Sequence, residues 1–237
     1  LFSDSAKWSD IIRMAQDPMI KGFTTNPTLM AKSGVTDYEQ FAKDALKHIA
    51  LNCPEKSISL EVFADDFDEM ERQALLIKSW ADAAGAKVYV KIPIMNTKGQ
   101  DSYSLIRSLS LQEVPMNITA VFTIDQVRTA MNNLNMHIPS IISIFAGRIA
   151  DAGVDPVPIF KDAINLRGTR YPRLDFLWAS PREIYNYIQA KELGVEIITM
   201  TPDMIYKLPT IGKDLREFSR ETVQMFYDDS MKSGFKI

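Results

Sequence analysis

The sequence predicts an α/β fold, a single-domain (β/α)8 barrel, on three observations. Eight short apolar runs of strand length alternate with helical stretches along all 237 residues. That spacing is about 30 residues per unit, the size of a βαβ repeat. The rival architecture, an open sheet binding a dinucleotide, should carry GxGxxG after its first strand, where this chain has Asp4-Ser5-Ala6.

In chain order the predicted strands are 1–3, 20–24, 58–63, 88–94, 116–122, 141–145, 174–179 and 195–200. Several are nearly continuous apolar runs, as expected of parallel strands covered on both faces. Between them, the segment 65–85 places Met70, Ala74, Ile77 and Ala81 at i, i+4, i+7 and i+11. It opens on an acidic turn and closes at Gly85, which fits helix start and stop chemistry. The segment 180–194 predicts a second helix, with Ser180 as N-cap, Pro181 at N1, Glu183 at N3 and Gly194 at C′. A last helix is expected over about 211–231, and no Gly/Ser-rich or Pro-rich linker divides the chain.

Composition narrows the function. Lys and Arg number 27 against 30 Asp and Glu, a net charge of -3, which argues against a nucleic-acid surface. A single cysteine, Cys53, rules out an internal disulfide and suits a reducing compartment. The two histidines, His48 and His137, lie far apart without CxxC or HExxH, so no zinc site is expected, although carboxylates could hold a hard cation. No apolar run approaches the roughly 18 residues of a membrane span. The opening LFSDSAKWSD lacks the basic and apolar regions of a signal peptide. The expectation is a cytoplasmic protein with no membrane partner.

In such a barrel the chemistry gathers at the C-terminal ends of the strands. Those ends carry Asp4, then Thr24-Thr25-Asn26-Pro27, Glu61, Lys91, Asn117 with Thr119, Ser143 running on to Arg148, Ser180 with Arg182, and finally Thr199 and Thr201. Lys91, inside Val-Tyr-Val-Lys-Ile-Pro-Ile, is the strongest signal. A lysine is rarely buried without a partner, and a closed barrel offers no edge from which it could snorkel. Burial favours the neutral amine, the form that makes a Schiff base with a carbonyl. Glu61 is its natural partner, either as a structural ion pair or as a proton shuttle for the water that enters and leaves. Thr119 and Asn117 would assist, or satisfy barrel backbone groups. Asp4 reads equally as the N-cap of the first helix or as a general base for a substrate hydroxyl. Arg148, Ser180 and Arg182 converge as anion ligands at a helix start, against the alternative of surface ion pairs.

These residues carry a family resemblance. GFTTNPTL (22–29), SLEVFAD (59–65), VYVKIP (88–93), MNITAVFT (116–123), SIFAGRI (143–149) and WASPRE (178–183) resemble, in order, the motifs of transaldolases in the class I aldolase superfamily. With Asp4 and the tail helix they span the chain. The short members related to fructose-6-phosphate aldolases are similar in length. The resemblance implies that Lys91 forms the Schiff base, that Asp4 is the acid/base at the cleaved bond, and that Glu61 and Thr119 handle the water. It implies that Asn26 and Ser143, with Thr25, Asn117 and Phe145 nearby, face the sugar, and that Arg148, Ser180 and Arg182 hold its phosphate. The implied reaction transfers dihydroxyacetone from sedoheptulose 7-phosphate or fructose 6-phosphate to an aldose phosphate, within the pentose phosphate pathway. It requires no cofactor and no metal. Partners would be sugar phosphates and further copies of the chain, as a pentamer or decamer, with the tail helix on a neighbour.

The rival inside the family is a fructose-6-phosphate aldolase, where the positions of Glu61 and Phe145 resemble Gln and Tyr. Phe145 lacks the hydroxyl that would help water release the enamine, which favours transfer. Outside the family, a non-catalytic sugar-phosphate-binding barrel could dispense with Lys91, Glu61 and Asp4, yet all three are present. Two departures stand out: Ser180-Pro181-Arg182 replaces the common Ser-Phe-Arg, and the segment 163–176 carries Arg167, Arg170 and Arg173. Those arginines form a solvated loop or contact an anion or a neighbouring subunit.

Overall fold

Eight parallel strands close into a barrel in simple sequential order in the computed structural model, which describes residues 1–236. The strands are β1 (Phe2–Asp4), β2 (Gly22–Thr24), β3 (Ser57–Glu61), β4 (Lys87–Pro93), β5 (Met116–Val121), β6 (Ser140–Ile144), β7 (Leu174–Trp178) and β8 (Ile197–Met200). Each predicted run contains its strand to within two residues at either end. The helices around them are α1 (Trp8–Ala15), α2 (Pro27–Lys32), α3 (Tyr38–Asn52), α4 (Phe67–Ala84), α5 (Tyr103–Leu111), α6 (Ile124–Asn133), α7 (Ala146–Asp151), α8 (Val157–Arg167), α9 (Tyr185–Leu193) and α10 (Pro202–Ile205).

The helices form where sequence chemistry asks for them. In α4 the stripe Met70, Ala74, Ile77 and Ala81 is buried, Asp66 accepts from the amides of Asp68 and Glu69, and Gly85 takes the left-handed turn at φ 70°. Thr123 and Gln126 make a reciprocal capping box on α6. The helix predicted from Ser180 starts only at Tyr185, so Ser180, Pro181 and Glu183 are not its cap and first turn. Ser180 is instead left-handed, at φ 58°. Its carbonyl packs so closely on α7 that an added Cβ at Gly147 would lie 1.6 Å from it. The end of this helix is as expected, with Gly194 at φ 72°.

Inside the barrel, strand period two turns alternate residues to the axis. Phe2, Ile141, Leu177, Ala179 and Ile197 make an apolar plug, with Tyr89 and Phe145 packed against it. Gly22 leaves the space that the Phe2 ring fills, since a Cβ there would sit 2.6 Å from the ring. At the N-terminal mouth the long cationic side chains find partners. Lys56, 4% exposed, donates to the carbonyls of Ala15 and Asp17 at 2.6 and 2.8 Å, closing off the end of α1. Arg167 pairs with Glu196 at 2.6 Å and donates to the Leu174 carbonyl at 2.8 Å. Arg173 donates to the His137 carbonyl at 2.9 Å, and Arg170 lies over the Tyr171 ring at 5.4 Å. The segment ahead of β7 therefore sits at the barrel end remote from the C-terminal strand ends, and its arginines do not reach a ligand there.

From Tyr206 onward the described residues form a second compact unit. Its described part contains α11 (Leu215–Ser233), with Asp214 as N-cap and Gly234 as C-cap. Leu215, Phe218, Phe226 and Met231 of this helix are exposed. Among the described residues, no helix is long and apolar enough to cross a membrane.

Candidate active site

Lys91 sits at the centre of the C-terminal mouth. It is 6% exposed, and its Nζ lies 2.8 Å from Glu61 Oε2 and 2.8 Å from the Thr25 carbonyl. Strand register explains the meeting: Glu61 and Lys91 are direct cross-strand partners on β3 and β4, as are Lys91 and Asn117 on β4 and β5. The charge is buried but paired and hydrogen-bonded, the condition that makes such burial tolerable. Above it opens a cavity of about 400 Å³, lined among others by Asp4, Asn26, Glu61, Lys91, Thr119, Ser143, Phe145, Arg148, Ser180 and Thr199.

Asp4 faces Lys91 from β1. Thr24 Oγ1 donates to its Oδ1 at 2.6 Å, so the 2.6 Å contact between Thr24 and Thr199 has Thr199 as donor. Burial pushes the Asp4 carboxyl above the usual aspartate range, against the Thr24 hydrogen bond and the Lys91 charge, while Glu61 adds to the rise. Asp4 does not cap α1, whose N-cap position is Lys7. A carboxylate with a raised pKa is a stronger base, which suits proton abstraction near neutral pH.

On β5 the ladder to β6 shifts between Ile118 and Val121, and Ala120 takes φ 58°, which an alanine adopts only at a cost. That bulge accompanies Thr119 at the wall, whose Oγ1 is buried with no protein partner. A buried hydroxyl left unpaired calls for an explanation, and a ligand atom is the natural one. Phe145 leans on Phe122 at 5.8 Å and gives the wall an apolar face. Arg148 is exposed on the cavity rim and pairs with no other described residue.

Three predicted residues lie off the cavity wall. Asn117 is buried beneath it, donating to Ser59 Oγ at 3.1 Å and accepting from Ser143 Oγ at 2.6 Å, so it orients Ser143. Thr25 turns its hydroxyl to the Ser59 carbonyl at 3.0 Å and offers only its own carbonyl to Lys91. Arg182 lies in the loop before α9, not in the first turn, and pairs through Nε and Nη2 with Asp151. Asn26 does reach the wall; its side-chain oxygen caps α2 by accepting from Leu29 N at 2.9 Å.

Sequence reasoning missed Ser59 and Tyr38. Ser59 was legible as the polar residue two positions before Glu61, on the same face of β3. Tyr38 left no such signal, because it opens a different helix and donates from there to the Glu61 carbonyl at 2.8 Å. Burial, with the Glu61 charge, raises the Tyr38 phenol far above its ordinary value. Among the described residues, no group of three His, Cys, Asp or Glu side chains is arranged to hold a metal ion.

Comparison with known proteins gives the chain's family. The family model described as transaldolase/fructose-6-phosphate aldolase matches residues 1–237. A probable transaldolase of Dehalococcoides mccartyi is 30% identical over 84% of this chain and 85% of its own. A probable transaldolase 2 of Listeria monocytogenes is 27% identical over 93% and 94%. Among solved structures, a dihydrodipicolinate synthase family protein of Coccidioides immitis superposes with a TM-score of 0.60 at 13% identity, over 84% of this chain and 65% of that one, slightly under two thirds. That likeness concerns the barrel alone.

Proposed function

Because the chain belongs to the transaldolase/fructose-6-phosphate aldolase family, we propose that it is a transaldolase. It would move a dihydroxyacetone unit from a ketose phosphate, sedoheptulose 7-phosphate or fructose 6-phosphate, to glyceraldehyde 3-phosphate or erythrose 4-phosphate. The observation that carries this reading is a buried lysine between a carboxylate and a carbonyl, both at 2.8 Å, opening on a polar cavity that holds a second carboxylate.

The attacking amine must shed a proton, and Glu61 is the base within reach. Lys91 Nζ adds to the ketose C2, and the carbinolamine loses its oxygen as water, with Glu61 returning the proton and Thr119 Oγ1 holding the water. The iminium then draws in the C3–C4 bonding electrons. Asp4 takes the proton of the C4 hydroxyl as that bond breaks, and the aldose leaves. The enamine left on Lys91 attacks the carbonyl carbon of the incoming aldose, Asp4 returns the proton to the new hydroxyl, and water releases the product ketose. Lysine supplies the electron sink, so the cycle draws on no cofactor. Phe145 brings no hydroxyl to activate water against the enamine, which favours transfer over release of free dihydroxyacetone. Arg148, unpaired on the rim, is suited to the substrate phosphate, with Ser180 beside it on the wall. Arg182 would join only by leaving Asp151, an exposed pair that is cheap to break.

Intact-mass measurement after borohydride reduction with fructose 6-phosphate tests the chemistry. A dihydroxyacetone-sized adduct on the native chain and none on Lys91→Met is expected; no adduct with any ketose phosphate would overturn it. Acceptor-dependent turnover separates transfer from aldol cleavage. The resemblance further implies a cytoplasmic homo-oligomer, pentameric or decameric, and the exposed apolar side chains of α11 suit a subunit contact. A monomer in sedimentation at micromolar concentration would refute that part.

A further inference from the structure

Tyr38 lies outside the cavity wall, yet it holds the residue next to the proposed Schiff base. Thr25 N donates to the Ser59 carbonyl at 3.2 Å, the last ladder bond between β2 and β3. In a parallel ladder the next donor on that edge is two residues on, and it would serve the Glu61 carbonyl. That position is Pro27, which has no N–H. The Glu61 carbonyl is thus left without backbone partner just where its side chain must be held against Lys91. The Tyr38 hydroxyl fills the gap at 2.8 Å.

Tyr38 is itself rigidly placed. Asp37 caps α3 by accepting from Gln40 N at 2.9 Å, which sets the first helical residue, Tyr38. Its ring packs against Phe63, two residues beyond Glu61, with centroids 5.0 Å apart. The chain leaving Glu61 is therefore tied twice to one aromatic side chain: the Glu61 carbonyl by a hydrogen bond, and Phe63 by ring packing. An unpaired carbonyl at this strand end would let β3 relax, and displacements of an ångström matter for a proton shuttle.

We propose that Tyr38 is a positioning residue for Glu61, replacing the ladder bond that Pro27 cannot make and fixing the carboxylate against Lys91. The inference rests on the reading of Glu61 as the proton shuttle. A double-mutant cycle keeps the two apart: native, Tyr38→Phe, Glu61→Gln and the double variant, with kcat, KM and melting temperature measured for each. Active-site titration by borohydride trapping normalises rates to folded, competent enzyme. Tyr38→Phe should lower kcat about fivefold to tenfold with KM within about twofold, since only a group aligned for the chemical step is disturbed. In the Glu61→Gln background it should cost no further kcat, because residues acting through one another are not additive. The melting temperature should fall equally in both backgrounds. Equal kcat losses in both backgrounds, or a native kcat in Tyr38→Phe, would overturn the positioning role while leaving Glu61 as shuttle. A native kcat in Glu61→Gln would overturn the shuttle and this inference with it.

Discussion

Two lysines in this barrel are almost equally buried, Lys56 at 4% and Lys91 at 6%, and they do opposite things. Lys56 stands just ahead of β3 at the N-terminal mouth, and its ammonium closes two carbonyls at the end of α1. Its partners are fixed dipoles without a proton to exchange. Lys91 stands in β4 at the C-terminal mouth, where one partner is a carboxylate that can take a proton and the other face is open cavity. Burial alone does not mark a reactive lysine. An exchangeable partner and room for a carbonyl compound do.

Exchanging each lysine for methionine is the sharpest way to break the comparison, and it has the largest expected effect. Lys91→Met should abolish adduct formation and lower kcat at least about 10³-fold, the scale of losing a covalent nucleophile, with the fold intact. Removing one partner also leaves Glu61 unpaired, which costs some stability. Lys56→Met should do the reverse. Two buried carbonyls lose their donor, for a loss of about 2–4 kcal/mol, while kcat per folded molecule stays native. Thermal melting beside trapped-adduct yield reads both; a Lys56→Met protein with native stability and lost activity would sink the division of labour.

Asp4→Asn comes next. Loss of the general base should cut kcat about 10²- to 10⁴-fold. Stability should move the other way. Because Asp4 is raised above 3.8 in the fold, chiefly by burial, its favourable contribution is complete below the unfolded value. That contribution is lost as pH rises through the folded value, so near neutral pH the ionised carboxylate costs stability. Asparagine keeps an acceptor for Thr24 without the charge. The difference in melting temperature, variant minus native, should therefore grow from pH 4 to pH 7; a constant difference would show that Asp4 is not raised. No such trade is expected at the N-terminal mouth, where Lys56 has only dipoles for partners.

The same contrast explains what could be read from sequence. All eight strands were legible because parallel strands buried on both faces are short apolar runs, and α4 because its stripe and its caps agreed. Lys91, Glu61, Asp4 and Thr119 were legible as polar residues interrupting those runs at their C-terminal ends. The helix start at 180–185 was misread because Ser-Pro-Arg-Glu has good capping chemistry locally. What overrides it is distant in sequence: the Ser180 carbonyl lies against Gly147. Arg182 was placed on the ligand for the same reason, and Asp151 on α7 takes it. Tyr38 and the floor formed by Ser59 and Asn117 depend on contacts 23 and 58 residues apart, which no local pattern encodes.

That override gives a third test. Gly147→Ala would drive a methyl into the Ser180 carbonyl, a backbone atom that cannot step aside cheaply. The β7–α9 loop should shift, raising KM for phosphorylated substrates several-fold and costing about 1–3 kcal/mol. An unphosphorylated donor such as dihydroxyacetone should be much less affected, and equal losses for both would remove the phosphate reading of Ser180.

The smallest effect distinguishes the two mouths most directly. Ala120 and Glu113 both hold φ at 58°, where a side chain is strained and glycine is not. Glu113 does so as the exposed residue that ends α5, with Val114 N returning to the Leu109 carbonyl, an ordinary way to stop a helix. Ala120 does so on the cavity wall, in the bulge that follows Thr119. Relief of strain exceeds the added freedom of the unfolded chain, so either change to glycine should stabilise by about 0.5–1 kcal/mol, a rise of roughly 1–4 °C for a chain of this length. Their activities should part. Glu113→Gly should leave kcat native, whereas Ala120→Gly should lower it about twofold to fivefold, because a looser bulge holds the unpaired Thr119 hydroxyl less firmly. Equal kcat in the two variants would mean that the strain at Ala120 is a by-product of closing the barrel and plays no part in aiming Thr119.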